Sequence, residues 1–397
     1  MSLEKPLSYE NITHGRIEQL GIKLKGLGLT VGEVKEALGL DNIFDLYPLE
    51  YKYLPLFVER LADNPTPLSH IISFLVLGLP GKKDIIEQAL GTADLELLGS
   101  IGICTMDQSD VHANFTLLPF EDLLIATDKV FLNVDEYGRD QYLSSDNLVW
   151  RLDKTSYIMA RGLVREKCKT ALDLGCGSGL QSLIMSRHSA KVTGVDINPR
   201  AINLAKFNAL LNGIGNMEFI CGDLYQPVNG QKFDKIVSNP PSAPGLVKAW
   251  NREGGISGRE LVEEILSGVR NHLEYGGICQ TTLHLGYNED KDITLWLDKY
   301  LTEKEFRNLI IRHSDEKEAA EYALQEAYQK SGPRDYGTFQ RTYQIYRAGL
   351  KAAGIEKITF GLLSAKFVEG GAFLPIITAD ILKEPISRLA ADHLAPA

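Results

Sequence analysis

The sequence predicts an α/β fold with a mainly parallel sheet, preceded by a smaller helical domain. From Lys169 onward, strand patterns and helix patterns alternate along the chain. The first of these strands, 171–174, stops at a turn with three glycines, and a helix pattern follows. The first third of the chain has helix patterns instead, and 397 residues exceed the usual size of one domain. We therefore predict a first domain over 1–135 and a second over 136–397.

Composition and charge restrict the classes of function. The formal net charge of −10 disfavours broad, sequence-independent binding to nucleic acid. The five cysteines are scattered, without the CxxC or Cys/His spacing of a metal site, so we predict free thiols in a reducing cytosol and no metal. Residues 1–10 have no signal-peptide pattern, and the longest apolar stretch, 71–79, is too short to span a bilayer. These observations predict a cytoplasmic protein without a membrane partner.

The end of the first domain has the order of a winged helix. Helix patterns at 68–77, 82–90 and 93–101 precede two short extended runs, near 113–118 and 123–126. Such a module either binds DNA or serves for interaction and dimerisation. Its charged side chains are mostly acidic, and the third helix carries two acids and no base, so phosphate would repel it. DNA binding by this module is therefore disfavoured, and interaction or dimerisation, as in a homodimer, is the favoured use.

The second domain is predicted to contain seven strands and one long insertion. The strands are expected at 171–174, 191–195, 217–221, 233–238, 277–285, 306–311 and 357–363. The insertion covers 314–354 and holds two helix patterns. Four of its aromatic residues fall on one helical face and predict either a core contact or a wall over the substrate; they are Tyr336, Phe339, Tyr343 and Tyr346.

Four short motifs follow predicted strand ends in this domain. The first is the turn Asp173-Leu-Gly-Cys-Gly-Ser-Gly179, and the second is Asp196, at the end of the next strand. Gly222-Asp223 and Asn239-Pro-Pro241 complete the set. A strand, a glycine turn and a helix let main-chain groups approach a nucleotide-like ligand where a Cβ would collide. An acid at the end of the following strand is placed to accept hydrogen bonds from a ribose, although a helix cap is the alternative use of each acid.

In this order and spacing the four motifs closely resemble class I S-adenosylmethionine-dependent methyltransferases of the small-domain group, over residues 140–285. That group includes release-factor glutamine-N5 methyltransferases and N-methyltransferases of RNA or DNA bases. The resemblance implies a seven-stranded Rossmann-like sheet with a winged-helix-like N-terminal domain, and S-adenosylmethionine as cofactor. It also implies that Asp196 holds the ribose and Asp223 the adenine. The cofactor-binding residues that it implies are Asp173, Gly175, Cys176, Gly177, Gly179, Asp196, Ile197, Asp223, Leu224 and Asn239.

The catalytic residues implied are Asn239, Pro240 and Pro241. If the Asn239 side-chain oxygen and the Pro240 carbonyl accept two N–H bonds, a planar nitrogen can turn its lone pair toward the sulfonium. The prolines fix where that carbonyl points. The resembling N-methylating families place an aromatic residue after the second proline, and this chain has Ser242 instead. A stacking platform is therefore missing there, and Tyr142, Trp250 or an aromatic residue of the 314–354 insertion could replace it on the substrate side.

The acceptor is left open by the sequence. An amide or amine nitrogen is favoured, in a protein glutamine or an RNA base. A small metabolite methylated on nitrogen, oxygen or carbon is the first alternative, with the N-terminal domain used for dimerisation. A DNA-binding regulator that senses S-adenosylmethionine is the second. The glycine-rich segment 254–258 either lines the acceptor pocket or caps the helix that follows.

Overall fold

The computed structural model describes residues 7–46, 53–128, 148–149, 152–245, 254–255, 257–331, 335–381 and 386–394. The α-helices are α1 (His14–Gly26), α2 (Val31–Leu38), α3 (Leu54–Asp63), α4 (Pro67–Ile71), α5 (Lys83–Leu90), α6 (Thr92–Ile101), α7 (Lys154–Gly162), α8 (Leu180–Met185), α9 (Pro199–Leu211), α10 (Glu260–His272), α11 (Asp290–Leu297), α12 (Ala319–Ser331), α13 (Tyr336–Ala352) and α14 (Ile386–Leu394). The strands are β1 (Gly81–Lys82), β2 (Cys104–Met106), β3 (Asp110–Ala113), β4 (Phe115–Phe120), β5 (Leu123–Asp128), β6 (Cys168–Leu174), β7 (Ser189–Asp196), β8 (Met217–Cys221), β9 (Phe233–Ser238), β10 (Leu273–Tyr287), β11 (Phe306–His313), β12 (Lys317–Glu318), β13 (Lys357–Phe367), β14 (Ala372–Phe373) and β15 (Ile377–Ala379).

The contacts of the chain divide it into two compact units. The first consists of Met1–Lys154, Gly177–Leu183 and Asn198–Phe219. The second consists of Thr155–Cys176, Ile184–Ile197 and Ile220–Ala397. The boundary predicted at residue 135 lies outside the described residues, so the predicted pair of domains stays a prediction.

Helices α2 and α4 of the first unit begin at side-chain caps. The Thr30 hydroxyl accepts a hydrogen bond from the Glu33 amide at the start of α2. Thr66 and Ser69 form a reciprocal capping box at the start of α4, which continues as a π-helical turn from Ile72 to Val76. In the same unit, α1 packs so closely on α9 that a Cβ added at Gly21 would lie 1.9 Å from the Leu211 carbonyl oxygen.

The hairpin expected after the third helix of this unit lies earlier than predicted. Strands β2 and β3 follow α6 directly and form a three-stranded sheet with β1, in the order β1-β3-β2. The predicted runs near 113–118 and 123–126 are β4 and β5, which form a separate two-stranded sheet. The early hairpin escaped prediction because its strands are three and four residues long, too short for a clear alternation.

The second unit is built on a mixed sheet with the order β14-β11-β13-β10-β9-β6-β7-β8. The central pairs β10/β9, β9/β6 and β6/β7 are parallel, whereas β13 runs antiparallel to both β10 and β11. All seven predicted strands are present, and β8 and β9 have the predicted bounds. The predicted number of seven strands is too low, because the sheet has ten strands within the described residues. The three additional strands, β12, β14 and β15, pair at its margins with two or three residues each.

The predicted insertion forms α12 and α13. Both helices contribute to one buried cluster, which also contains Ile355 and Ile358. Of the aromatic stripe on α13, Tyr346 is buried in that cluster and Tyr343 packs against it, whereas Tyr336 is 70% exposed. The core interpretation therefore holds for the second half of the stripe and not for its start.

Candidate active site

The motif residues converge because their strands are parallel neighbours. In the pairing register, Leu174 of β6 lies beside Val195 of β7 on one side and Ser238 of β9 on the other. The next residue of each strand is therefore at the same edge of the sheet. The Ser238 hydroxyl donates to the Leu174 carbonyl at 2.7 Å and ties two of these ends together. Gly175, Asp196 and Asn239 thus begin the connections at one edge, where ligands of open α/β sheets bind.

The glycines of the turn differ in what surrounds them. Gly175 and Gly177 have φ values of +69° and +53°, which favour glycine, and a Cβ at either would meet no described atom within 4 Å. Gly179 also has a positive φ, but a Cβ there would lie 3.0 Å from the Ala205 Cβ within the first unit. Two of the glycines therefore leave open space beside the backbone, and the third permits close packing of α9.

Two carboxylates lie near the buried Cys176 thiol. The pKa of this thiol is raised well above its ordinary value, first by burial and then by the negative charges of Asp196 and Asp173. The amides of Gly175 and Cys176 both donate to the Val195 carbonyl, at 2.8 and 3.0 Å. These bonds fix the turn beside the end of β7 and bring both acids to the same place.

The end of β8 is joined to the end of β7. The Gly222 amide donates to the Asp196 carbonyl at 3.0 Å, which places the Gly222-Asp223 motif beside Asp196. Asp223 is exposed, and Leu224 has a φ of +43°, a strained value for a residue with a branched side chain. Ile197 is 40% exposed, unlike the buried aliphatic residues of the neighbouring strands.

Three hydroxyl groups surround the Asn239 amide. The Thr282 hydroxyl, from β10, donates to the side-chain oxygen of Asn239 at 2.5 Å. The side-chain nitrogen of Asn239 donates to the Thr155 hydroxyl at 3.3 Å and to the Ser156 hydroxyl at 3.4 Å, both from the first turn of α7. Pro240, which follows, is buried, and Pro241 is half-buried.

Ser242 is buried, and its hydroxyl lies 3.0 Å from Nδ1 of His284. The half-buried His284 ring packs edge-on against Phe360, with ring centroids 5.1 Å apart. Thr282 and His284 are two positions apart on β10 and so face the same side of the sheet. The other two residues predicted on the substrate side, Tyr142 and Trp250, lie outside the described residues.

Two further elements support the segment after Asn239. The Gly254 amide donates to the Ala243 carbonyl at 3.0 Å, and the Gly245 amide donates to the Gly255 carbonyl at 2.8 Å. A Cβ at Gly258 would lie 2.2 Å from the Ser242 carbonyl oxygen. From α12, the buried Tyr322 hydroxyl donates to the Pro244 carbonyl at 3.0 Å. The glycine-rich segment therefore packs on the Asn-Pro-Pro segment, and one helix of the insertion contacts it.

Residues absent from the sequence prediction complete the site. Thr155, Ser156 and Thr282 contact Asn239 from positions 43 to 84 residues away in the chain. Asn239 directly follows β9, and the last residue of β9, Ser238, pairs with Thr281 of the parallel strand β10. A small polar residue next after Thr281 was therefore the available signal for Thr282. No local pattern pointed to the first turn of α7.

Within the described part of the chain, no group of three or more His, Cys, Asp or Glu side chains is placed to hold a metal ion. In that same part, no helix combines the length and the apolar character needed to cross a membrane.

Comparisons with known proteins agree with this architecture. Residues 149–300 match the family model described as the methyltransferase small domain. A candidate protein N5-glutamine methyltransferase of Methanocaldococcus jannaschii is 37% identical over 140 residues, covering 33% of this chain and 70% of that protein. A release factor glutamine methyltransferase of Aquifex aeolicus is 33% identical over 32% of this chain and 50% of its own length. A ribosomal RNA small subunit methyltransferase C of Alcanivorax borkumensis is 26% identical over 37% of this chain and 42% of its own length.

The fold and the strand-end motifs define a class I methyltransferase domain. The chain belongs to the methyltransferase small domain family and is an S-adenosylmethionine-dependent methyltransferase. The family model covers residues 149–300, and two of the three relatives named are covered over half of their length or less.

The described residues fit this cofactor. S-adenosylmethionine has a nucleoside, an amino-acid end and a methyl group on a sulfonium. Open space beside Gly175 would admit a ligand close to the backbone, and the carboxylates of Asp173 and Asp196 would accept hydrogen bonds from its hydroxyl and ammonium groups. When bound, the cofactor supplies an electrophilic methyl group.

Proposed function

We propose that this chain methylates the side-chain amide nitrogen of a glutamine in a protein. The observation that carries the proposal is the Asn239 amide, held by three hydroxyls at the sheet edge where the glycine turn begins. The names of two relatives, a protein N5-glutamine methyltransferase and a release factor glutamine methyltransferase, support the same acceptor.

The cofactor roles in this proposal follow from position. Asp196, at the end of β7, accepts hydrogen bonds from the ribose hydroxyls, and Asp223 accepts one from the adenine amino group. The half-exposed Ile197 side chain and Leu224 contact the adenine faces. Asp173, Gly175, Cys176, Gly177 and Gly179 form the turn beside the methionine portion and the ribose.

The chemistry requires the lone pair of a planar amide nitrogen. Such a lone pair is delocalised into the carbonyl, and two hydrogen bonds from the nitrogen, to the Asn239 oxygen and the Pro240 carbonyl, favour its pyramidal form. The acceptor nitrogen then forms a bond to the methyl carbon while the carbon–sulfur bond breaks, and the bonding pair stays on sulfur. The nitrogen loses its proton to solvent afterwards, so no base of shifted pKa is needed at the barrier.

A small-metabolite acceptor is the second candidate. It is favoured by Ser242, which is buried against His284 and offers no aromatic face to a base. The support of the same segment by Tyr322 from the insertion also suits an acceptor site closed by this chain itself. In this candidate, Tyr142 or Trp250 contributes the missing ring.

The N-terminal part is proposed to be a winged-helix-like interaction or dimerisation module of a cytoplasmic enzyme. The order α4, β1, α5, α6, β2, β3 supports this assignment. DNA binding is disfavoured by α6, the helix that would enter a groove. Its Asp94 carboxylate lies 2.5 Å from the Lys23 ammonium and 3.5 Å from the Arg16 guanidinium, both on α1. Helix α6 is acidic, and its Asp94 carboxylate is paired with basic side chains of α1.

The test uses methyl-labelled S-adenosylmethionine with three separate probes: a purified bacterial release factor, total RNA and a protein-free metabolite extract. We expect label in the release factor, located by mass spectrometry as a 14 Da increase on a glutamine; N5-methylglutamine then appears after enzymatic digestion. Label confined to RNA or to the metabolite extract would overturn the glutamine proposal. A variant Asn239→Ala that transfers methyl groups at the normal rate would overturn the role of this residue.

A further inference from the structure

We infer that Thr282, Thr155 and Ser156 form a hydroxyl clamp that orients the Asn239 amide for the reaction. Thr282 donates to the amide oxygen, and the amide nitrogen donates to the other two. All four residues belong to the second unit. None of the three hydroxyl residues contributes to the strand-end motifs, and each acts as a positioning residue.

The hydrogen-bond capacity of Asn239 shows what the clamp leaves for an acceptor. A side-chain amide has two N–H donors and an oxygen with two lone pairs. The Thr155 and Ser156 hydroxyls accept hydrogen bonds from the two N–H groups, and the Thr282 hydroxyl donates to one lone pair of the oxygen. One lone pair of the oxygen remains. The clamped side chain can therefore accept one hydrogen bond from an acceptor, and an N–H donor is the partner that it selects.

The clamp is itself held by the sheet. The Gln280 side chain, on β10, accepts from the Val164 amide at 2.7 Å and donates to the Gly162 carbonyl at 2.8 Å. The buried Lys235 ammonium, on β9, donates to the Val164 carbonyl at 2.5 Å. These bonds fix the end of α7 and the residues after it on the same two strands that carry Asn239 and Thr282.

Burial makes the clamp effective. Thr282 and Gln280 are fully buried, and Ser156 is 8% exposed. Water therefore competes little for the hydroxyls of Thr282 and Ser156, whereas Thr155 is half-buried. Without the Thr282 hydroxyl the amide has no described donor on its oxygen, and rotation about its χ2 angle moves that oxygen away from the acceptor. A misplacement of about 1 Å can cost roughly 100-fold in rate.

The decisive variants are Thr282→Val, which removes the hydroxyl and keeps the shape, and Thr282→Ser, which restores the hydroxyl. Thr281→Val is the matched control. Thr281 is equally buried and also bears a hydrogen-bonded hydroxyl, whose partner is the Thr282 carbonyl, but it faces the other side of the sheet. Thermal melting identifies any variant that fails to fold.

The kinetic measurement uses the release factor assay and therefore depends on the proposed function. We expect Thr282→Val to lower kcat about 10-fold to 100-fold, with the Kd for S-adenosylmethionine and the acceptor KM unchanged within twofold. Thr282→Ser should recover kcat to within threefold of the wild type, and Thr281→Val should match it. A Thr282→Val variant with normal kcat, or a Thr281→Val variant that loses as much, would overturn the clamp.

A second measurement needs no acceptor. Asparagine side chains are labelled with ¹⁵N, and the Asn239 NH₂ signals are identified by their loss in Asn239→Asp. We expect these two protons to exchange with water at least fivefold faster in Thr282→Val than in the wild type or in Thr281→Val. Equal exchange in all three proteins would contradict the clamp even if the release factor proves not to be a substrate.

Discussion

Replacing Gly175 by alanine tests whether the glycine turn binds S-adenosylmethionine through its backbone. Gly175 has a φ of +69°, and a Cβ there would meet no described atom within 4 Å. Among the described residues, the new methyl group therefore has room. The contact that we expect it to make in the loaded enzyme is one with the ligand.

The backbone cost of the substitution can be separated from the loss of binding. An L-residue in the left-handed region costs about 1–2 kcal/mol. Gly354, at the end of α13, has a φ of +66° and the same lack of described neighbours within 4 Å. Gly354→Ala is therefore a matched control, and both variants should lose about 1–2 kcal/mol of unfolding free energy.

Binding of the cofactor distinguishes the two variants. We expect Gly175→Ala to weaken the binding of S-adenosylmethionine more than about tenfold, or about 1.4 kcal/mol. The added methyl group would fill the space in which the ligand approaches the backbone. Gly354→Ala should bind it normally. Calorimetric titration gives the Kd, and the shift in Tm on adding the ligand gives an independent measure. If Gly175→Ala binds within threefold of the wild type, the ligand does not approach the backbone at this glycine.

Three further predictions concern packing and thiol chemistry. In urea denaturation, Gly21→Ala should lose about 1–3 kcal/mol of unfolding free energy, because its Cβ would meet a backbone oxygen at 1.9 Å. Gly15→Ala, with no described neighbour within 4 Å, should gain about 0.5–1 kcal/mol. Equal effects of the two substitutions would refute the close approach. Ser242→Tyr should lower Tm more than Ser242→Ala does, because overpacking a buried site costs about 1–3 kcal/mol. A Ser242→Tyr variant of normal stability would show that the site has room for the ring. At pH 8 the exposed Cys221 should react with a thiol reagent, while Cys176 should remain unmodified because its raised pKa keeps it protonated; peptide mapping that finds both equally labelled would contradict this.

The sequence predicted the parts of the fold that depend on local pattern. Strand β9 has the predicted bounds because the extended run from Phe233 ends at Asn239-Pro240, where proline removes a backbone donor. The order of motifs at strand ends also predicted which residues share one sheet edge, since parallel neighbours bring their carboxyl ends together. Local patterns therefore predicted that these distant residues meet at one edge, because the parallel direction of the strands is enough to determine which strand ends lie together.

The hairpin of β2 and β3 shows where local patterns fall short. Its strands are too short to show an alternation of apolar and polar residues, but the turn between them contains an aspartate of the kind that begins turns. The Asp107 carboxylate accepts hydrogen bonds from the Ser109 and Asp110 amides, at 2.9 and 2.7 Å, as an aspartate that initiates a turn does. Turn chemistry would have placed the hairpin directly after α6.

The side chains around Asn239 could not be predicted for a different reason. Thr155 and Thr282 are separated from it by 84 and 43 residues, and a lone threonine has no pattern that marks it as a partner. Their meeting depends on the pairing register and on the way Gln280 and Lys235 hold the residues after α7. Side-chain partners brought together by register are fixed by the whole sheet, and no short stretch of sequence encodes them.

The structure gives Ser242 a different interpretation from the one that the sequence suggests. From the sequence it marks a missing aromatic platform, yet in the fold its hydroxyl lies 3.0 Å from His284 Nδ1 and its side chain is buried. The segment that follows is held by hydrogen bonds from Gly254 and Tyr322, so its backbone position depends on the glycine-rich segment and on α12. A serine there fits close packing that a large ring would disrupt. The geometry of the acceptor segment is therefore set by elements far along the chain, and the insertion is part of the structure that positions it.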